Sequence, residues 1–230
     1  MAFGPLQVAS VVCGLALSWP LAVLAWSLPE RRFRPQSWRR TSKALQAFSL
    51  LLPPLVAIWA AMTVPTVALP GMLVLGWTLG VLAIVDARTF VLPDMLTLPL
   101  ILAGIVNSIL TAWPYAGFDD LLIAAGYGAL AALFGFVFMA LLAWLFRTIR
   151  GREGLGLGDA KLLAAAGAWV GLGAIPTVVL LSALGALVGT VLLHRLLRQA
   201  APIGGTPLPF GPYLAAAIWI AALYGPLALR

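Results

Sequence analysis

Gly154-Leu155-Gly156-Leu157-Gly158-Asp159-Ala160-Lys161-Leu162-Leu163 is the stretch on which the fold turns. Three glycines at alternate positions lead into an aspartate, and a strongly apolar run follows. Glycine removes side-chain bulk and permits backbone conformations closed to other residues. Asp159 is therefore expected at the mouth of a helix, on a backbone that another helix or a peptide can approach closely. A second carboxylate stands far upstream, in Val85-Asp86-Ala87-Arg88-Thr89-Phe90-Val91-Leu92-Pro93-Asp94. Asp86 and Asp159 are expected to meet at one face of the fold.

A membrane setting follows from composition. Hydrophobic residues make up 63% of the 230 and charged residues 9%, against about 25% charged in a soluble domain. Mean hydropathy is +1.06. The net charge of +7 does not mark a nucleic-acid surface. The basic clusters carry few aromatic residues for stacking bases, and in a membrane protein excess Lys and Arg gathers in cytoplasmic loops. Cys13 is the single cysteine, so neither an internal disulfide nor a zinc cluster is expected. The first basic residue is Arg31. The opening apolar run thus lacks the charged start of a signal peptide and is expected to remain as a span.

Apolar runs long enough to cross, each about 20 residues, place eight spans. The first covers roughly Pro5 to Leu28 and the second Ala44 to Met62, with Pro53 and Pro54 expected to kink it. The third ends near Val85. The fourth runs about Met95 to Ala112, the fifth Leu121 to Phe146, and the sixth, short and rich in Ala and Gly, Ala160 to Gly173. The seventh and eighth cover about Ile175 to Leu193 and Tyr213 to Leu227. Placing the basic loop 29–43 inside puts thirteen of the fourteen Lys and Arg on the inner side, with only Arg230 outside. The expected fold is an all-α polytopic membrane protein with both termini outside (N-out/C-out). Residues 1–230 form one integral membrane domain, with Asp86 and Asp159 both at the cytoplasmic face.

Of the seven acidic residues, most have a plain local role. Glu30 and Glu153 sit among arginines and read as loop charge pairing. Asp94, after Pro93, reads as a helix cap, and Asp119 or Asp120 as the cap of the fifth helix. Asp86 and Asp159 each lie where an apolar helix meets a tight segment, and ionisable groups partly buried in a membrane are expensive and usually functional. Two carboxylates sharing a site repel, so one is protonated while the other is ionised. The ionised one can take a proton from water and the protonated one can polarise a carbonyl, which is hydrolysis without a metal. His194 reads as a residue at a helix end. Ser108 and Ser182 have no histidine near in sequence. Lys161 is expected to reach towards the interface, and Arg88 to pair with Asp86 or with an acid of the substrate.

These segments resemble the type 4 prepilin peptidase family, the GxGD aspartic proteases of bacterial inner membranes. Asp86, Arg88 and Val91-Leu92-Pro93-Asp94-Met95-Leu96-Thr97 are similar to its first aspartate segment. Gly156-Leu157-Gly158-Asp159-Ala160-Lys161-Leu162 is similar to its second, and Pro209-Phe210-Gly211-Pro212-Tyr213-Leu214 to the start of its final helix. The resemblance implies Asp86 and Asp159 as the catalytic aspartates. It implies type IV prepilins or type II secretion pseudopilins as substrates, cleaved at the cytoplasmic face between a basic leader and a membrane-lodged helix. Many members also methylate the new N-terminus with S-adenosylmethionine, and many carry paired CxxC zinc motifs in the first inner loop. Here loop 29–43 is short, basic and free of cysteine, so no structural zinc is expected and methyl transfer is left open. The expected setting is the bacterial inner membrane, in contact with lipid and prepilin and not with nucleic acid.

Two rivals belong to other classes. A proton-coupled transporter would use Asp86 or Asp159 near the bilayer midplane, whereas both acids fall near span ends. A non-catalytic partner in a secretion assembly would have no need of both aspartates.

Overall fold

The computed structural model describes residues 4–27, 43–113, 117–151, 156–196 and 209–225. Among these residues all regular structure is helical: α1 (Pro5–Ser27), α2 (Lys43–Thr63), α3 (Leu69–Thr89), α4 (Asp94–Ala112), α5 (Phe118–Arg150), α6 (Leu157–Val170), α7 (Ile175–Leu196) and α8 (Gly211–Tyr224). A single 3-10 turn, Leu172–Ala174, joins α6 to α7. The helices fall where the apolar runs do. Among the described residues four stretches are long and apolar enough to cross a bilayer: α3, α4, Phe118–Ile149 of α5, and Leu172–Leu192. The chain is thus an all-helical membrane protein. The basic loop at 29–42, Glu30, Glu153, Gly154, Leu155 and Arg198 lie outside the described residues.

α6 is the hub. It packs against α4, α5, α7 and α8, and Asp159, Ala160 and Leu162 to Ala168 are all buried. Its 14 residues rise only about 21 Å, short of a hydrocarbon core of about 30 Å. A helix wrapped by protein rather than lipid can end early, because its neighbours and not the bilayer cover it. Lipid supplies no hydrophobic drive between helices, so close backbone approach through small residues has to hold them. Gly135 of α5 lies on the Leu163 backbone, and Gly167 of α6 lies on the Ala131 carbonyl. Gly104 of α4 lies under Trp169, whose Nε1 donates to the Leu100 carbonyl at 2.8 Å.

Gly167→Val should therefore lower the thermal midpoint in detergent, since a β-carbon there would overlap the Ala131 carbonyl and overpacking costs about 1–3 kcal/mol. Gly126→Ala, inside α5 where an added β-carbon meets nothing within 4 Å, is the control and should leave the midpoint unchanged or raise it. Equal midpoints for the two variants would refute the close α5–α6 contact.

α2 continues through Pro53 and Pro54, and Trp77 of α3 donates its indole N–H to the Pro53 carbonyl at 3.0 Å, tying α3 to α2 beside the proline pair. Two local expectations change. α3 does not stop at Val85 but continues a turn, to Thr89. It ends when Phe90 turns left-handed at φ 55°, its N–H bonding the Asp86 carbonyl at 2.9 Å. α6 starts at Leu157 rather than Ala160, so Asp159 lies inside its first turn.

Candidate active site

Asp86 is carried in the last turn of α3 and Asp159 in the first turn of α6, so one helix end and one helix start bring them to the same end of the bundle. They are near enough to act on one another electrostatically. Both are buried, Asp86 5% and Asp159 9% exposed.

Each carboxylate is held by a backbone amide at a helix N-terminus, where N–H groups have no partner inside the helix. Asp159 is the third residue of α6, and its Oδ2 accepts the N–H of Gly156, the residue just before the helix, at 3.1 Å. That is the reciprocal half of a capping box. Asp86 lies at a helix C-terminus, whose dipole offers an anion nothing. Its donor comes from elsewhere: Oδ2 accepts the N–H of Gly211, the first residue of α8, at 2.9 Å. Gly211 approaches so closely that a β-carbon built on it would stand 2.6 Å from Asp86 Oδ2 and 2.7 Å from Cγ.

Capping alone does not explain Asp159. Asp120 makes the same bond at the start of α5, its Oδ2 accepting the Gly117 N–H at 3.0 Å, yet Asp120 is exposed. A cap needs neither burial nor a second carboxylate beside it, and Asp159 has both. Of the described glycines in the ladder, Gly158 shows why bulk is excluded there: its β-carbon would stand 3.0 Å from that of the buried Leu92. Neither Gly156 nor Gly158 has positive φ. Gly158 therefore serves close packing and not an unusual backbone.

Asp94 does not cap α4. Pro93 holds the position before the helix, and Asp94, its first residue, makes no capping bond. Its Oδ1 instead accepts from Lys161 Nζ at 2.6 Å, which gives Lys161 a partner on α4. Ser108 donates to the Ile105 carbonyl at 2.7 Å and Ser182 to that of Val179 at 2.9 Å, so both hydroxyls are used within the helix ladder. His194 falls in the last turns of α7, with its side chain outside the described ones. Arg88 is half-buried near the end of α3, and Cys13 is exposed on α1. Among the described residues no three His, Cys, Asp or Glu side chains converge. Gly211 had no role assigned from the sequence. Its signal was a glycine between Phe210 and Pro212 at the start of a helix, where a free amide seeks an anion.

The chain matches the model of the type IV leader peptidase family over residues 73–191, a span that includes both aspartates. It is 43% identical over 155 residues to the prepilin leader peptidase/N-methyltransferase of Pseudomonas aeruginosa, covering 67% of this chain and 49% of that protein. Against the protein of that name from Aeromonas hydrophila it is 42% identical over 178 residues, covering 76% and 57%. Against that from Xanthomonas campestris pv. campestris it is 41% identical over 156 residues, covering 67% and 50%. The chain spans about half the length of these curated relatives. No solved structure matches it. A family match over more than half the sequence, with relatives above 40% identity, means that the chain belongs to the type IV leader peptidase family.

Proposed function

We propose that this chain is a membrane-embedded aspartic endopeptidase that removes leader peptides from type IV prepilins or type II secretion pseudopilins, with Asp86 and Asp159 as the catalytic pair. The observation that carries the proposal is two buried carboxylates at one end of the bundle, within electrostatic reach, each fixed by a helix-start amide. With Oδ2 fixed in each, Oδ1 works on the substrate. The ionised carboxylate takes a proton from water as its oxygen attacks the scissile carbonyl. The protonated one gives its proton to the carbonyl oxygen, forming a tetrahedral diol. Collapse returns a proton to the leaving amine and yields one new carboxyl and one new amine. The two groups work as a unit.

The same reading carries the topology. We infer that all eight helices cross the bacterial inner membrane, with both termini outside and residues 1–230 forming one membrane domain. Thirteen of the fourteen Lys and Arg then share the cytoplasmic side with the aspartates, where a leader still attached to its membrane-lodged helix would present its cut site. Both aspartates lie in terminal turns of their helices, which speaks against a midplane transport site.

The relatives' name includes N-methyltransferase. Methyl transfer to the new amine would draw its methyl from S-adenosylmethionine. Among the described residues the buried hydroxyls of Ser10, Thr97 and Ser182, three of those present, donate to helix carbonyls.

Incubating the purified chain in liposomes with a prepilin, followed by mass spectrometry of the pilin N-terminus, tests the proposal. The expected product lacks its leader, and an added methyl mass would report the second activity in the same spectrum. Intact prepilin overturns the proposal. A metal chelator should leave the cleavage rate unchanged, because the proton transfers belong to the two carboxyls; inhibition reversed by added metal would contradict that chemistry.

A further inference from the structure

We propose that the Lys161–Asp94 ion pair is a positioning clamp that sets the separation of Asp86 and Asp159. The inference rests on the reading that those aspartates are the reacting pair. Each of the two segments that carry an aspartate also carries one charge of the clamp. Asp94 opens α4 just beyond the corner that follows Asp86, and Lys161 lies two residues after Asp159 in α6. Nζ and Oδ1 are 2.6 Å apart, a charge-assisted bond between groups 67 residues apart in sequence.

The corner between α3 and α4 needs such a hold. Phe90 sits at φ 55°, and among the described residues no other non-glycine residue has positive φ. A bulky side chain persists there only when its surroundings impose it. Two contacts on the α6 side do so. Leu92, 6% exposed, packs over Gly158, and two residues further on Asp94 meets Lys161. With the ion pair gone, the Leu92 contact stands without its polar companion at the corner, which is then freer to relax and to let Asp86 drift from Asp159.

The pair contributes little to the stability of the whole fold, because the Lys161 and Asp94 side chains are 27% and 56% exposed and water screens such pairs. Its leverage is geometric, since misplacing a reacting group by about 1 Å can cut a rate about a hundredfold.

Full-length Lys161→Ala and Asp94→Ala should each lower kcat for prepilin cleavage roughly tenfold or more, with KM within about twofold and an unchanged thermal midpoint. The charge-swapped double variant, Asp94→Lys with Lys161→Asp, should recover most of that loss. A second measurement does not depend on cleavage. The Phe90 amide, bonded to the Asp86 carbonyl at 2.9 Å across the corner, should exchange its hydrogen faster when Lys161→Ala is introduced, as read by hydrogen-exchange mass spectrometry. Wild-type cleavage and wild-type exchange in the neutralised variants would overturn the clamp, as would a swap no better than the single variants. If the wild-type chain cleaves no prepilin, the peptidase reading fails, and the exchange rate still decides the clamp.

Discussion

Asp86→Asn and Asp159→Asn are each expected to lower leader cleavage about a thousandfold, within the range of a lost general acid or base, while the protein still folds. The substitution is close to isosteric, and an amide oxygen can accept the same backbone N–H as the carboxylate it replaces. The bonds from Gly211 and Gly156 therefore survive, and so do the helix starts they secure. What is lost is the proton that each carboxyl takes up or gives back. Because the two act on one water and one carbonyl, the double variant should be hardly worse than either single one. Losses that multiply would mean two independent roles and would sink the paired mechanism. Asp120→Asn is the internal control. It alters the same capping geometry at the exposed start of α5 and should leave the rate untouched. Rates measured with purified variants and a prepilin, beside their thermal midpoints, separate chemistry from folding. Normal processing by both single variants would remove Asp86 and Asp159 from the mechanism.

What could be read from the chain in advance was whatever is encoded locally. Long apolar runs bounded by Gly, Pro and charge show where helices lie, because lipid allows a spanning segment few other conformations. The glycine ladder before Asp159 and the corner after Asp86 marked the two carboxylates for the same reason: their settings are written in neighbouring residues. Boundaries were less legible. Hydropathy puts Asp86 beyond its helix, yet α3 absorbs it and runs to Thr89, capped by Phe90. A turn of helix more or less changes hydropathy little when its residues are Asp86, Ala87, Arg88 and Thr89. The polar partnerships were hidden altogether. Asp94 and Lys161 each have a respectable local role, as cap and as interfacial lysine, and nothing nearby says that they face each other across 67 residues. The amide that holds Asp86 is 125 residues away. A local pattern shows that a group is out of place in its surroundings, but only the packing of α4 on α6 and of α8 on α3 shows what satisfies it.

Gly211→Ala should lower cleavage about a hundredfold, the scale of an ångström of misplacement, while costing the fold no more than about 1–3 kcal/mol, that of one overpacked contact. Backbone conformation gives no reason for glycine here. The glycines with positive φ among the described residues are Gly151, Gly171 and Gly225, and Gly211 is a helical residue of α8. At the first helical position, directly ahead of Pro212, alanine gains the helix little. The reason lies across the interface, where the new β-carbon would stand 2.6 Å from Asp86 Oδ2 and 2.7 Å from Cγ. Nonbonded heavy atoms do not come so close, so either the start of α8 moves away or the carboxylate swings off its amide. Both movements break the 2.9 Å bond and carry Asp86 away from Asp159, whereas the apolar contacts of Leu214, Ile218 and Trp219 deeper in α8 stay in place. Activity and stability should therefore part company at this one position. A Gly211→Ala protein that cleaves at the wild-type rate would show that the amide does not hold the reacting carboxylate. One that fails to fold would show that the corner carrying Asp86 cannot yield, and that α8 is seated by this contact rather than by its apolar face.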